Sequence, residues 1–259
     1  MTTIGLTTPR ILSAEWRKEV TLRSTWWTLG ILVLSIAGVG VFTAIGVALG
    51  QLTATPEDVG ALGGALSGLS AAEIVVAVFG ILAVTGEYAS GAIRSSFTAV
   101  PARIPVVLAK AGIVGATVLA LSVVLTLGTF AAARALVGSA GFDLSPAAPG
   151  VLRSLIGAAF YLAAVAVLGT AVGWLLRSTA GAIGVMFGLL YVLPVIGLIL
   201  PDAVASQIMR YLPANAGAAL REPLYAQGML PAWAAALVLV GWVAVFLAGA
   251  VMVVRRRDA

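Results

Sequence analysis

Leu155–Leu176, LIGAAFYLAAVAVLGTAVGWLL, is an apolar stretch without a single charged side chain. A helix of roughly 20 such residues spans the ~30 Å hydrocarbon core of a bilayer. Five further runs have a similar length and composition, and only the second of them contains a charge, Glu73: Trp27–Gly50, Gly68–Gly86, Ala111–Ala133, Ser178–Leu200 and Met229–Val254. We therefore expect an all-α integral membrane protein with six transmembrane helices.

The composition favours one integral membrane domain over residues 1–259. Hydrophobic residues make up 61% of the chain and charged residues 10%, and the mean hydropathy is +1.11. A soluble domain carries about 25% charged residues. Because the connections between the six runs are short, we expect no separate soluble domain.

Several kinds of active site are excluded by residue type. The chain has no cysteine and no histidine, which excludes disulfides, thiolate nucleophiles, imidazole bases and the usual zinc and haem ligands. The phosphate-binding pattern G-x-x-x-x-G-K-[ST] does not occur. We expect no catalytic residue, no metal site and no cofactor bound by this chain.

The basic residues predict the orientation. With the N-terminus inside, 11 of the 15 cations lie on the cytoplasmic side: Arg10, Arg17, Lys18, Arg23, Arg94, Arg103, Lys110, Arg177, Arg255, Arg256 and Arg257. Cytoplasmic loops are enriched in Lys and Arg, so we expect both termini in the cytoplasm. The abundance of Ala, Gly and Arg suggests a bacterial source, hence a bacterial cytoplasmic membrane. Basic residues that flank apolar helices indicate topology rather than nucleic-acid binding.

The segment before the first run, Arg10–Trp27, predicts an amphipathic helix. One stripe is apolar and is formed by Leu12, Trp16 and Val20. Arg17 and Lys18 lie away from that stripe. Such a helix can lie in the headgroup region with its cations toward anionic lipid, although a charged lead-in that only obeys the orientation rule would look similar.

The outer connections carry weaker signals. Gln51–Leu66 is a Gly-rich loop with Glu57 and Asp58. In Pro201–Gly228 three apolar residues recur at four-residue spacing, Val204, Ile208 and Leu212. This spacing predicts a short amphipathic helix on or in the membrane, ended by Pro213 and followed by a turn. Pro194 predicts a kink in the fifth transmembrane helix.

The connection between the second and third runs, Glu87-Tyr-Ala-Ser-Gly-Ala-Ile-Arg-Ser-Ser-Phe-Thr-Ala-Val-Pro-Ala-Arg, is the most informative. Gly91 permits a sharp turn, and Pro101 blocks continuation of a helix. Ile93 and Phe97 share one helical face. We expect a short helix over 90–100 that lies across the membrane normal, displays these apolar side chains to the cytoplasm and docks into a groove of a partner.

Glu87, at the inner end of the second run, has two candidate partners within this segment. It is expected to pair with Arg94 or with Arg103, or else to contact a basic residue of another protein. A carboxylate that only caps the helix or reaches the membrane interface is the structural alternative.

Together these segments resemble the permease subunits of ABC-2 type ABC transporters, especially actinobacterial ones. The similarity in the central connection lies in Glu87, Tyr88, Gly91, Ile93, Arg94, Pro101, Arg103, Ala109 and Lys110. Further similarity lies in Glu15-Trp-Arg-Lys, in Arg23-Ser-Thr-Trp-Trp and in Tyr211-Leu-Pro-Ala-Asn-Ala-Gly. The resemblance extends over the whole six-helix layout.

The resemblance implies an exporter of an apolar or amphipathic substrate, such as a drug, a natural product or a lipid. The chain would pair with a second permease subunit, identical or different, and with two cytosolic ATPase subunits that hold ATP and Mg²⁺. Contact with the ATPase would involve the interfacial helix, with Trp16, Arg17 and Lys18, and a coupling helix. The coupling residues would be Glu87, Tyr88, Gly91, Ile93, Arg94, Phe97, Pro101 and Arg103. Short re-entrant helices are implied at the outer face before the last transmembrane helix.

Four residues within the apolar runs are candidates for a substrate path. Glu73 could bind a cationic group of a substrate, and it could equally hold a loop or a lipid headgroup. Tyr161, Phe187 and Tyr191 could line an apolar cleft in a dimer, although aromatic residues in transmembrane helices more often serve packing.

Three other classes of function are weaker. An ion-coupled secondary transporter would place ionisable or helix-breaking residues near the midplane, often in repeated halves, and this chain has no such repeat. An intramembrane enzyme lacks both histidine and paired Asp residues within the runs. A membrane protein without transport activity, such as an immunity protein, remains an alternative that co-purification with an ATPase would test.

Overall fold

The protein is described by a computed structural model that covers residues 7–52, 66–100, 103–138, 144–223 and 228–256. Within these ranges the regular structure is helical throughout. In chain order the helices are α1 (Thr8–Thr21), α2 (Arg23–Ala48), α3 (Leu69–Ser90), α4 (Ala92–Ala99), α5 (Ile104–Gly138), α6 (Val151–Leu176), α7 (Thr179–Gly197), α8 (Asp202–Ile208), α9 (Pro213–Arg221) and α10 (Ala232–Arg256).

Six of these helices, α2, α3, α5, α6, α7 and α10, are long and apolar enough to cross a membrane. The described part of the chain is therefore all-helical, and its six long apolar helices indicate a multi-pass membrane protein, as the apolar runs predict. Only helices and closed barrels satisfy their own backbone hydrogen bonds in hydrocarbon. The helices extend past several expected limits, most clearly α5, which includes Lys110 and Arg134 beyond the apolar run.

Helix α6 is the centre of the bundle. About 83% of the most apolar stretch of α6 is buried, whereas only 17% of the corresponding stretch of α10 is buried. It packs against α3, α5, α9 and α10. The contact with α3 is close because Gly80 lies against the backbone of Ala166 and Gly169 lies against the backbone of Ala77. Small residues of this kind let dispersion contacts hold helices together where no hydrophobic drive exists.

The expected single helix from Arg10 to Trp27 is wrong. The chain leaves the helical conformation at Leu22 (φ −79°, ψ 125°), so α1 and α2 are separate helices. The apolar stripe of α1 is not the face that packs on the bundle, because Leu12 and Trp16 are 39% and 49% exposed; the interfacial position of this helix stays a prediction. The side chains that α1 buries are Ile11, Glu15 and Glu19. Buried ion pairs determine which face of α1 meets the bundle.

The connection between α7 and α10 contains one helix more than the spacing predicts. Helix α8 and a 3₁₀ turn at Met209–Tyr211 match the expected amphipathic segment. Pro213, however, begins α9 instead of preceding a turn. Proline suits the first helical position because the N–H that it lacks has no partner there. Helix α9 packs against α6 and α10.

Pro194 is accommodated without ending its helix. A π-helical turn, Gly188–Val192, directly precedes it in α7, and a second one, Leu34–Gly38, interrupts α2. A π-turn changes the hydrogen-bond spacing, which relieves the clash of a proline with the preceding turn. The kink predicted at Pro194 stays a prediction, since a π-turn also occurs in α2, which contains no proline.

Candidate functional site

Five charged residues meet at one end of the bundle, where α3 ends and α5 begins. We call this group the charged junction: Glu15, Lys18 and Glu19 of α1, Glu87 of α3 and Lys110 of α5. Lys110 Nζ lies 2.7 Å from Glu15 Oε2 and 2.8 Å from Glu87 Oε1. Lys18 Nζ pairs with Glu15 and lies 3.2 Å from Glu87 Oε1.

Four of the five residues of the charged junction are buried. Lys110 is 2% exposed, and Glu15 and Glu19 are 3% and 4% exposed. Lys18 lies at the edge, with 35% of its side chain exposed. An unpaired charge at such a position costs several kcal/mol, which explains why each lysine touches two carboxylates. These contacts connect α1 to the ends of α3 and α5.

Glu19 is the carboxylate of the charged junction whose pKa is raised. Burial raises the pKa of Glu19, and the neighbouring carboxylates of Glu15 and Glu87 raise it further. The ammonium of Lys110 and a hydrogen bond with Thr25 oppose this increase. The effect of burial is the largest, so the pKa of Glu19 lies above that of an ordinary carboxyl group.

Helix α4 starts at a sharp turn and is fastened on two sides. Gly91 has a left-handed backbone conformation (φ 72°) that ends α3 and begins α4, a conformation that costs glycine little. On one side, Lys18 Nζ donates a hydrogen bond to Ser96 Oγ at 2.9 Å. This hydrogen bond brings α1 and α4 together beside the charged junction.

The apolar face of α4 is turned into the protein, which contradicts the expectation that Ile93 and Phe97 are displayed. Ile93 is 3% and Phe97 is 7% exposed. The Phe97 ring stacks on Trp174 of α6 at 6.1 Å between centroids, and Tyr88 meets Trp174 edge-on at 5.9 Å. The ends of α3, α6 and α10 offer apolar surface, so these side chains are anchors of α4.

Besides Leu12 and Trp16 of α1, the exposed residues of α4 and α1 are mainly polar and basic. On α4 they include Arg94, Ser95 and Thr98, and on α1 they include Arg10, Ser13, Arg17 and Thr21. A groove of about 240 Å³ lies between the two helices, and its lining includes Arg10, Lys18, Ser95 and Ser96. We call the exposed residues of α1 and α4 together with this groove the α1–α4 surface.

The expected partners of Glu87 are wrong. Glu87 pairs with Lys110 and Lys18, whereas Arg94 is exposed. The guanidinium of Arg103 lies over the Phe97 ring at 5.2 Å and reaches the carbonyl oxygen of Val254 at 3.5 Å. Pro101, Glu57 and Asp58, which the sequence also singled out, lie outside the described residues.

Tyr88 and Arg177 complete the anchoring of α4. The guanidinium of Arg177 lies 5.1 Å from the Tyr88 ring centroid, and Tyr88 in turn contacts Trp174. Arg177 itself adopts a positive φ of 54° at the end of α6. Trp174, which holds Phe97 of α4, is thus itself held by Tyr88, and Tyr88 is held by the cation–π contact with Arg177.

Glu73 lies at the opposite end of the bundle in a small polar cluster. Tyr161 donates its hydroxyl hydrogen to Glu73 Oε2 at 2.8 Å, and Arg221 Nη1 lies 3.9 Å from the same oxygen. Tyr161 is fully buried and its ring contacts Gly217 of α9. Placing Tyr161 on a substrate path is therefore wrong within this chain, since its ring forms part of the core.

Phe187 and Tyr191 lie on α7 at the surface of the bundle. Their rings stack at 5.2 Å, and the Tyr191 hydroxyl donates to the carbonyl oxygen of Ser70 at 3.0 Å. They line a small apolar cavity of about 30 Å³ between α3 and α7. That Phe187 and Tyr191 line a substrate path stays a prediction.

The sequence did not identify Glu15, Glu19 or Lys110 as site residues; Lys110 served as a topological charge, and Lys110 and Glu15 served as part of the family resemblance. A signal was present, because Glu15, Lys18 and Glu19 recur at three- and four-residue spacing on one helix. What the sequence lacked was the partner of this face. Among the described residues no group of three or more acidic side chains has a geometry suited to a metal ion.

Comparison with protein-family models and with curated proteins finds no match to this chain.

Proposed function

We propose that this chain is the permease subunit of an ABC-2 type exporter that moves an apolar or amphipathic substrate across a bacterial cytoplasmic membrane. It would act with a second permease subunit and with two cytosolic ATPase subunits that bind ATP and Mg²⁺. The single observation that carries the proposal is the way α4 is held, by anchors on its apolar face and by Lys18 on its side.

A coupling helix has to move together with the transmembrane helices. Phe97 and Ile93 join α4 to the ends of α3 and α6, and Gly91 separates α4 from α3 by one sharp turn. A displacement of α4 is thus transmitted through packed side chains to the central helix α6, because packed cores do not deform continuously. This mechanical connection is what an external motor protein would need.

The α1–α4 surface gives such a motor protein a place to bind. Its exposed cations, Arg10, Arg17 and Arg94, favour a partner with acidic residues around its contact patch. The charged junction beneath it holds α1 against α3 and α5, so both helices of the surface would move with the bundle. In this proposal, ATP-driven closure of the ATPase pair tilts α4 and switches the access of the cleft between two permease subunits.

The test first asks whether a reading frame beside the gene of this chain encodes a protein with the phosphate-binding pattern of an ATPase, and then co-expresses that protein with the chain. Charge reversal of the surface in Arg17→Glu/Arg94→Glu is expected to reduce co-purification of the ATPase about tenfold and to abolish substrate-stimulated ATP hydrolysis. Arg134→Glu is the matched control, since Arg134 is exposed on α5 near its opposite end. Binding that is equal in all three proteins, or no nucleotide-hydrolysing partner at all, would overturn the proposal.

A further inference from the structure

A groove of about 450 Å³ runs along the outside of the bundle between α5, α6 and α10. It is distinct from the charged junction and from the cluster around Glu73. Its floor consists of small residues, among them Gly112 and Ala116 of α5 and Ala163 of α6. Its walls are larger apolar side chains such as Leu108, Leu119 and Phe160.

The groove is not filled by the chain itself. A Cβ atom added to Gly112 would meet no atom within 4 Å, although Gly112 lies in the middle of the floor. All three lining helices are among the six that are apolar and long enough to span a membrane. An occupant therefore comes from within the hydrocarbon, or reaches the groove through it.

The dimensions of the groove suit an acyl chain. From Leu108 to Leu119 the floor rises by ~16 Å at 1.5 Å per residue, close to half of the ~30 Å hydrocarbon core. The groove is lined by α5, α6 and α10 and is open on its remaining side, so an acyl chain can enter it from the bilayer. A helix of a second copy is the competing occupant, and the experiment below distinguishes the two.

Cations follow beyond one end of the groove. Leu247 is the last lining residue of α10, and Arg255 comes eight residues later, ~12 Å further along the helix at 1.5 Å per residue. Arg255 is exposed in the last turn of α10. Arg103, at the start of α5, touches the backbone of Val254 beside it. An anionic phosphate at this end would complement the charge.

We propose that this groove binds a phospholipid with an anionic headgroup, with one acyl chain along Gly112 and Ala116 and the phosphate at Arg255. Lipid tails are as apolar as leucine, so retention depends on shape and dispersion contacts in the groove and on the ion pair at its end. The site needs neither an ATPase nor a transported substrate.

The experiment measures lipids that stay bound after purification. The protein is reconstituted with equal amounts of phosphatidylglycerol and phosphatidylcholine, extracted into detergent, washed, and analysed by native mass spectrometry. The wild-type chain is expected to keep about one phosphatidylglycerol per chain, with at least about a tenfold preference over phosphatidylcholine. The same preference should appear in the chain purified without any ATPase.

Two variants and one control locate the site. Gly112→Leu fills the floor and should lower the retained lipid about tenfold, while Arg255→Gln should remove the headgroup preference. Gly128→Leu is the matched control, because Gly128 also lies on α5, meets no atom within 4 Å and is outside the groove. Thermal unfolding checks that all variants fold.

Three results would overturn the assignment. The first is equal lipid retention in Gly112→Leu and Gly128→Leu, which would show that retained lipid is unrelated to the groove. The second is that the wild-type chain retains both lipids equally and that Arg255→Gln retains the same amounts. The third is a dimer that dissociates in Gly112→Leu while lipid content stays constant, which would assign the groove to a second copy of the chain.

Discussion

At the residue scale, Lys110 illustrates how a membrane protein keeps a charge inside an otherwise apolar region. Its ammonium group is 2% exposed and touches both Glu15 and Glu87. Such a group is stable only as a member of its cluster, since neither the lysine nor the carboxylates could be buried alone at a tolerable cost.

We expect Lys110→Met to destabilise the protein by about 3–5 kcal/mol, because it leaves the carboxylates of the junction buried with one cation fewer. Denaturant-induced unfolding in detergent micelles measures this change. The double variant Lys110→Met/Glu15→Gln should recover part of the loss, because it removes one of the stranded charges. If Lys110→Met alone were as stable as the wild type, the ion pairs of Lys110 with Glu15 and Glu87 would be contradicted.

Glu19 should make stability depend on pH. Burial raises the pKa of Glu19 in the folded protein, so the folded state binds this proton more tightly than the unfolded state. The contribution of Glu19 to the free energy of unfolding is then fully present below the ordinary carboxyl pKa of about 4.3, and it is lost as the pH rises through the raised pKa of the folded protein. The charged groups that face it are Lys110, Glu15 and Glu87.

Glu19→Gln replaces the ionisable carboxyl group by a neutral amide. We expect it to raise the midpoint of thermal unfolding at neutral pH, and we expect this increase in the midpoint to shrink as the pH is lowered. Glu222→Gln is the control, because Glu222 is exposed near the opposite end of the bundle. The measurement is thermal unfolding from pH 4 to 8. A gain of equal size at every pH would rule out the titration of Glu19 as its cause.

At the element scale, the contact between α3 and α6 depends on glycine. Gly80→Ala would place a methyl group onto the carbonyl oxygen of Ala166, and neither backbone can yield without moving its helix. We expect a loss of about 1–3 kcal/mol, as for other overpacked positions. Gly86→Ala, on the same helix with no atom within 4 Å of an added Cβ, should be neutral or slightly stabilising. Equal stability of the two variants would contradict this close approach.

Helix α4 should detach when its aromatic anchor is removed. Because the chain has no cysteine, single cysteines report accessibility without background. Ser95→Cys is expected to react rapidly with a maleimide, whereas Ile93→Cys should react slowly, since Ile93 is nearly fully buried. Adding Phe97→Ala should speed labelling at Ile93→Cys and leave Ser95→Cys unchanged. Rapid labelling at both sites in the parent protein would show that α4 is loose.

At the scale of the whole molecule, the arrangement has two chemically different ends. The end with α1 and α4 carries the charged junction and the α1–α4 surface, and the other carries the Glu73 cluster and α9. If basic residues orient the chain, Ser95→Cys should be labelled only from the cytoplasm and Arg134→Cys only from outside. Labelling of intact cells with an impermeant maleimide tests this, and the reverse pattern would invert the topology and remove the cytosolic coupling surface.

The sequence predicted the six long apolar helices and the short helix after Gly91, because each depends on local composition or backbone chemistry. It placed Pro213 at the end of a helix when it begins one, since proline is compatible with both positions. The apolar stripes of α1 and α4 predicted that these helices are amphipathic, but not which side faces the bundle.

The sequence alone determined that this chain spans a membrane as helices, because a run of apolar residues has no other way to satisfy its backbone in hydrocarbon. Only the tertiary structure decided that Glu87 pairs with Lys110, that Phe97 is an anchor and that a groove remains beside α5. Each of these depends on which helices are neighbours and how closely they approach, and residues as far apart in the chain as Glu15 and Lys110 meet only after packing is complete.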